Sequence, residues 1–146
     1  MPKVTALSRA VLDEITLFRS VGETVLGLGQ PATPRDIVAR VDAYLRELKL
    51  RGDPVHDEAL IGFGVLIGEQ YVQSFGWHWA CIVRDERLDN RSTCVLSPDH
   101  AFSIDPIVWV ADVIYTDKEI NFLMNFNMVR AGLLPSAAPN EALGIH

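Results

Sequence analysis

Between Val4 and Val25 the apolar residues Leu7, Val11, Ile15, Phe18, Val21 and Val25 recur at steps of three and four, and Arg9, Asp13, Glu14 and Arg19 fall mostly on other faces. That period predicts an amphipathic helix. Gly27 and Gly29 offer left-handed stops and Pro31 prevents resumption, so Gly27 to Ala32 reads as a linker. Thr33, Pro34 and Asp36 then supply an N-cap hydroxyl, a first-turn proline and an early acid, and Ile37, Val41, Tyr44, Leu45 and Leu48 carry a second helix to Gly52. Its other face holds Arg35, Arg40, Asp42, Arg46, Glu47 and Lys49, which reads as solvated surface.

The next segment breaks the two-faced pattern. After the Asp53-Pro54 turn, Asp57 and Glu58 place negative charge where a helix begins, and from Ala59 to Gly68 the chain is apolar on every side. A helix of that kind must be enclosed by other elements, so this third helix is expected at the centre of the fold. Gly62, Gly64 and Gly68 each cost a helix about 1 kcal/mol relative to alanine, which is tolerated where another element comes close. Gly64, Gly68, Glu69 and Trp79 are accordingly read as structural, and Gly76 as the stop.

From Trp77 to Val83 the period changes to two, the signature of a strand. Asp85 to Asn90 is a charged loop, Arg91 to Leu96 a second strand, Ser97-Pro98-Asp99-His100 a turn, and Ala101 to Ile104 a third strand, giving an antiparallel meander. Ile107 to Tyr115 combines β-branched content with the Asp105-Pro106 helix start; helix is favoured over strand. Thr116-Asp117-Lys118-Glu119 has the form of a capping box for a last helix through Ile120, Leu123, Phe126 (or Met124) and Met128 to Gly132. The expected fold is α+β: N-terminal helices packed on a small antiparallel sheet of three or four strands, with one or two C-terminal helices. Residues 1–132 form one domain, and residues 133–146, with two prolines, a mobile tail.

Composition narrows the function classes. The 146 residues are 49% hydrophobic and 22% charged, as in a folded globule, and the net charge of −6 disfavours nucleic acid and anionic membrane while favouring a basic partner. The N-terminus lacks a signal-peptide pattern and no apolar run approaches bilayer length, so a cytoplasmic location is expected. Cys81 and Cys94 are isolated on neighbouring strands and read as free thiols.

Candidate chemistry is sparse. The 62–68 glycines lie inside a helix rather than between a strand and a helix, which removes the dinucleotide-loop reading. Glu69 is the one charged residue between Ala59 and Val83; without a neighbouring nucleophile or second carboxylate it reads better as a hydrogen-bond acceptor for a tryptophan N–H or the strand start than as a general acid. His56, His78, His100 and His146 are scattered with no helical ligand spacing, so neither metal nor cofactor is expected. No serine sits in a G-x-S-x-G elbow. Trp77, Trp79 and Trp109 could serve core or interface; Trp77 is kept as an interface anchor. The charged loops supply Asp85, Glu86, Asp89 and Asp99, and the start of the last helix Asp117 and Glu119, as the acidic residues a basic partner would meet.

Gly64-x-x-x-Gly68-Glu69, six residues, then Gly76-Trp77-x-Trp79 is similar to a motif of small bacterial cytosolic proteins of uncharacterised role, and the downstream Asp105-Pro106, apolar helix and Phe122/Phe126 helix extend the similarity over Leu60 to Val129. Some such proteins resemble immunity proteins of secreted antibacterial toxins. The resemblance implies a non-enzymatic module that covers the active site of a cognate, basic protein toxin; glycine at 62 and the proline-containing tail depart from the pattern. Two other readings stand beside it. One is a small-molecule-binding or enzymatic pocket between the third helix and the sheet, with Glu69 and His78 as polar groups. The other is a homodimer joined through a sheet edge.

Overall fold

Everything is arranged around helix α3 (Asp57–Phe75), whose residues 62–68 are all buried. A computed structural model of the chain describes residues 2–29, 32–85 and 90–146. Within them the fold is α+β, with five helices and a five-stranded mixed sheet. The glycines of α3 explain how so many elements reach it. Against α1 (Arg9–Leu26), a Cβ on Gly62 would stand 2.7 Å from the Phe18 carbonyl oxygen and 2.8 Å from the Gly22 nitrogen. On a second side Gly64 admits Ile107 of α4 (Pro106–Tyr115), whose Cα would lie 2.7 Å from a Cβ there. On a third, Gly68 receives the Trp79 indole, with 2.5 Å to its outer edge. Each notch serves a different neighbour, which is why substitution by alanine is disfavoured at all three despite its better helix propensity.

The sheet runs in the order β1 (Lys3–Thr5), β2 (His78–Asp85), β3 (Asn90–Leu96), β4 (Phe102–Ile104), β5 (Leu143–Gly144). The meander β2–β3–β4 is antiparallel, with Trp79 opposite Val95 on the face towards α3 and Ala80 opposite Cys94 on the other. Because Cys81 pairs with Thr93, the two cysteines point to opposite faces, and both are free thiols. Burial pushes the Cys94 thiol up to about 12, so it behaves as a small apolar side chain. Among the described residues no helix is long and apolar enough to cross a membrane.

Three expectations change. Val4 belongs to an edge strand against Ile82, and α1 starts only at Arg9, capped by the Ser8 hydroxyl, which accepts from the Val11 N–H. The C-terminal segment is docked rather than loose: Leu143 and Gly144 form a parallel strand beside β4, and Ala142 is 1% exposed. The Thr116–Glu119 sequence does not cap a helix. Thr116 Oγ1 accepts from the Lys118 N–H instead, and α5 (Phe122–Arg130) starts only at Phe122, past the buried Ile120 and with Asn121 at its N-cap position.

Candidate functional site

The polar face of α2 (Pro34–Arg51), expected to be solvated, is exposed at Arg35, Arg40, Arg46, Glu47 and Lys49 and buried at Asp42, and four of these side chains also clamp the ends of other helices. Arg40 donates to the Leu26 carbonyl at the C-terminus of α1 at 2.6 Å. Lys49 Nζ reaches the Val113 carbonyl of α4 at 2.6 Å and the Thr116 and Lys118 carbonyls at 3.0 and 2.8 Å. Asp42, 6% exposed, accepts from the Leu123 N–H in the first turn of α5 at 3.1 Å. Cations therefore sit at helix C-termini and an anion at an N-terminus, the arrangement that both the orphan backbone groups and the helix dipoles favour. Arg46 completes the array by donating to Asp42 at 2.5 Å and to the Ile120 carbonyl. Apart from the Arg46–Asp42 pair, one turn apart on α2, local spacing carries no trace of these contacts, since each of the others joins two different elements.

Beside those engaged heads the surface carries several exposed large apolar side chains. Alongside the clamp runs a groove of about 610 Å³ lined by Leu123, Met124, Asn127, Met128 and Leu133. It shares Arg46 with a hollow of about 480 Å³ that includes Leu50, Asp117, Glu119 and Ile120. Met124 is 58%, Leu133 64% and Leu50 88% exposed, an unusual density of large apolar side chains for one face. Asp117 and Glu119 are exposed at its rim, and among the described residues neither makes an ion pair, whereas Lys118 is 3.4 Å from Asp112. Arg46, Lys49 and Lys118 line the same hollow, so its rim carries both signs of charge.

The other residues singled out lie elsewhere. Trp77, proposed as an interface anchor, is 5% exposed and packs on Tyr71 and Phe75, so in this fold it is a core aromatic with little surface to offer. Burial raises the Tyr71 hydroxyl far above its ordinary range, and that group donates to Asn125 of α5. Asp99 is exposed, but its carboxylate is held below its usual range by the Ala101 N–H and by the Ser97 hydroxyl, both of which donate to it at 3.0 Å. Asp85 closes β2, while Glu86 and Asp89 lie outside the described residues. The acidic set is therefore not one surface: Asp117 and Glu119 belong to the α2–α5 face, and Asp99 to the sheet end.

Glu69 accepts from the Trp79 indole N–H at 2.8 Å and lies 3.7 Å from Arg19, which also donates to Glu23 at 3.0 Å. The room beside Gly68 that a ligand would need is filled by Trp79 and Val95, and Glu69 is occupied by the Trp79 indole N–H. His78, the other polar group of the pocket reading, points away from α3 and meets His100 instead, Nε2 to Nε2 at 3.0 Å. As for the dimer reading, the edges of the sheet are strands of three and two residues, little backbone for another chain to pair with.

Sequence reasoning missed the methionines as a surface, because a stripe with Met124 and Met128 looks like core until the neighbours of α5 are known. No known protein family, curated protein or solved structure matches this chain.

Proposed function

We propose that this chain is a non-enzymatic protein-binding module that docks a basic protein on the α2–α5 face. The observation that carries the reading is the conjunction on that face of exposed Leu50, Met124, Met128 and Leu133 with the carboxylates of Asp117 and Glu119, beside Arg46, Lys49 and Lys118, whose heads are bonded to backbone carbonyls or to Asp112. Methionine and leucine side chains repack against varied shapes and supply affinity, while rim carboxylates steer a positively charged partner and raise its association rate. The net charge of −6 acts in the same direction. An antibacterial toxin whose active site is covered by this face is the partner class we propose, in line with the resemblance of the Gly64–Trp79 motif to immunity proteins.

The test is co-expression with proteins encoded beside the gene, scored by survival and by co-purification. Met128→Asp with Leu133→Asp is expected to abolish co-purification while leaving the circular dichroism spectrum and melting temperature close to wild type. Asp117→Lys with Glu119→Lys is expected to slow association and flatten its salt dependence. A neighbour-encoded partner that binds both double variants like the wild type places the interface elsewhere; no binding and no protection by any neighbour removes the toxin reading.

A further inference from the structure

His78 opens β2 and His100 closes the turn before β4, twenty-two residues later, yet the fold brings their imidazoles together with ring centroids 4.9 Å apart. The position of His100 is set by the backbone. It takes a left-handed φ of 60, which is uncommon for a residue with a Cβ and persists only where the surroundings impose it. Here they do. The His100 N–H donates to the Ser97 carbonyl at 2.9 Å, its carbonyl accepts from the Ala142 N–H at 2.8 Å, and the Asp99 carboxylate fixes the turn through Ser97 and Ala101.

The result is two Nε2 atoms 3.0 Å apart on half-buried rings. Two nitrogens bound at about 2.0–2.1 Å to one metal ion, at angles between square and tetrahedral, stand about 2.8–3.4 Å apart. We propose that His78 and His100 form a bidentate site for a borderline divalent transition-metal ion such as Zn²⁺, Ni²⁺ or Cu²⁺. Burial, with His100 close by, holds the His78 imidazole below its ordinary range, which keeps the ring in the neutral, ligand-competent form at neutral pH. Hard cations are not candidates, since Mg²⁺ and Ca²⁺ take oxygen ligands. Among the described residues no third His, Cys, Asp or Glu joins the pair, so the remaining positions of the ion stay open to water or to an exogenous donor. This site lies at the sheet end, away from the α2–α5 face, and does not depend on the function proposed for that face.

The experiment is calorimetric titration of the untagged protein with Zn²⁺ and Ni²⁺ at pH 7.5, paired with thermal melts in Zn²⁺, Ni²⁺, Mg²⁺ and EDTA. Two variants bracket the site: His100→Gly, in which the new residue is at ease at a positive φ, and His78→Gln, which keeps a polar strand residue. One ion per chain is expected to bind, with a melting temperature raised by Zn²⁺ and Ni²⁺, restored by EDTA and unmoved by Mg²⁺. Affinity should fall at least tenfold in each variant. Absence of heat and of a shift with both ions, or binding unchanged in both variants, overturns the proposal.

Discussion

Replacing Gly62 by alanine sets two effects of opposite sign against each other. By helix propensity alone the change stabilises α3 by about 1 kcal/mol. The added methyl would stand 2.7 Å from the Phe18 oxygen, 2.8 Å from the Gly22 nitrogen and 3.1 Å from the Gly22 Cα. All three are backbone atoms of α1, so no side chain can turn aside, and relief requires the two helices to separate. A separation of about 0.5–1 Å forfeits roughly a quarter to a half of each dispersion contact along the crossing. Such overpacking costs about 1–3 kcal/mol or more, and with backbone on both sides the upper end applies, which leaves a net loss of about 2 kcal/mol after the propensity gain. For a domain of this size that corresponds to a melting temperature lower by about 4–8 °C. Urea denaturation followed by far-UV circular dichroism measures it, with Gly29→Ala as the control, because nothing lies within 4 Å of a Cβ at Gly29. A Gly62→Ala protein as stable as the wild type, or more so, would refute the close crossing of α1 and α3.

The clamp array, the tail, a buried amide and the histidine pair make further predictions. Lys49→Met, which strips the donor from three carbonyls, should destabilise by about 2–3 kcal/mol in the same urea assay, whereas the exposed Glu47→Gln should change stability by less than about 0.5 kcal/mol. Deleting residues 142–146 removes the Ala142, Leu143 and Ile145 N–H bonds to the 100–103 strand, and should cost about 3 kcal/mol and open the chain to limited proteolysis. Gln70 is 2% exposed and its Oε1 has no hydrogen-bond partner among the described residues, so Gln70→Met should raise the urea midpoint; a fall would show that the oxygen is satisfied. The folded-state His78 lies below its ordinary value of 6.5, so the unfolded chain takes up the proton first and stability declines as pH falls below about 6.5. His146 is shifted in the same direction, so His78→Gln should reduce the slope of stability between pH 7.5 and 5.5 without abolishing it.

The parts of the fold legible in the sequence were those fixed by neighbours along the chain. The Thr33 cap, Pro34 and Gly52 bound α2 as read, because each acts within one turn. The all-round apolar run of α3 announced its burial, and the period-two stretch after Gly76 announced β2. What stayed hidden depends on partners distant in sequence. Lys3–Thr5 and Leu143–Gly144 are too short to show a period and are strands only because β2 and β4 present open edges to them. The Thr116–Glu119 pattern satisfied the local rule for a cap, but Lys49 and Asp42 had already taken the carbonyls and the N–H that define the real helix ends. The same blindness concealed the histidine pair, whose members are brought together by the turn at Ser97–His100, and made the lysine and arginines of α2 look like bystanders.

That the middle of α3 is enclosed by its neighbours while α5 keeps an exposed apolar side is tested by native-state hydrogen exchange resolved along the chain. The account predicts that amides of residues 62–71 exchange last, at the rate of global unfolding, while those of α5 exchange sooner through local opening. Amides within 62–71 that exchange as fast as those of α5 would contradict it, because an element open to solvent on one side cannot be the enclosed scaffold described here.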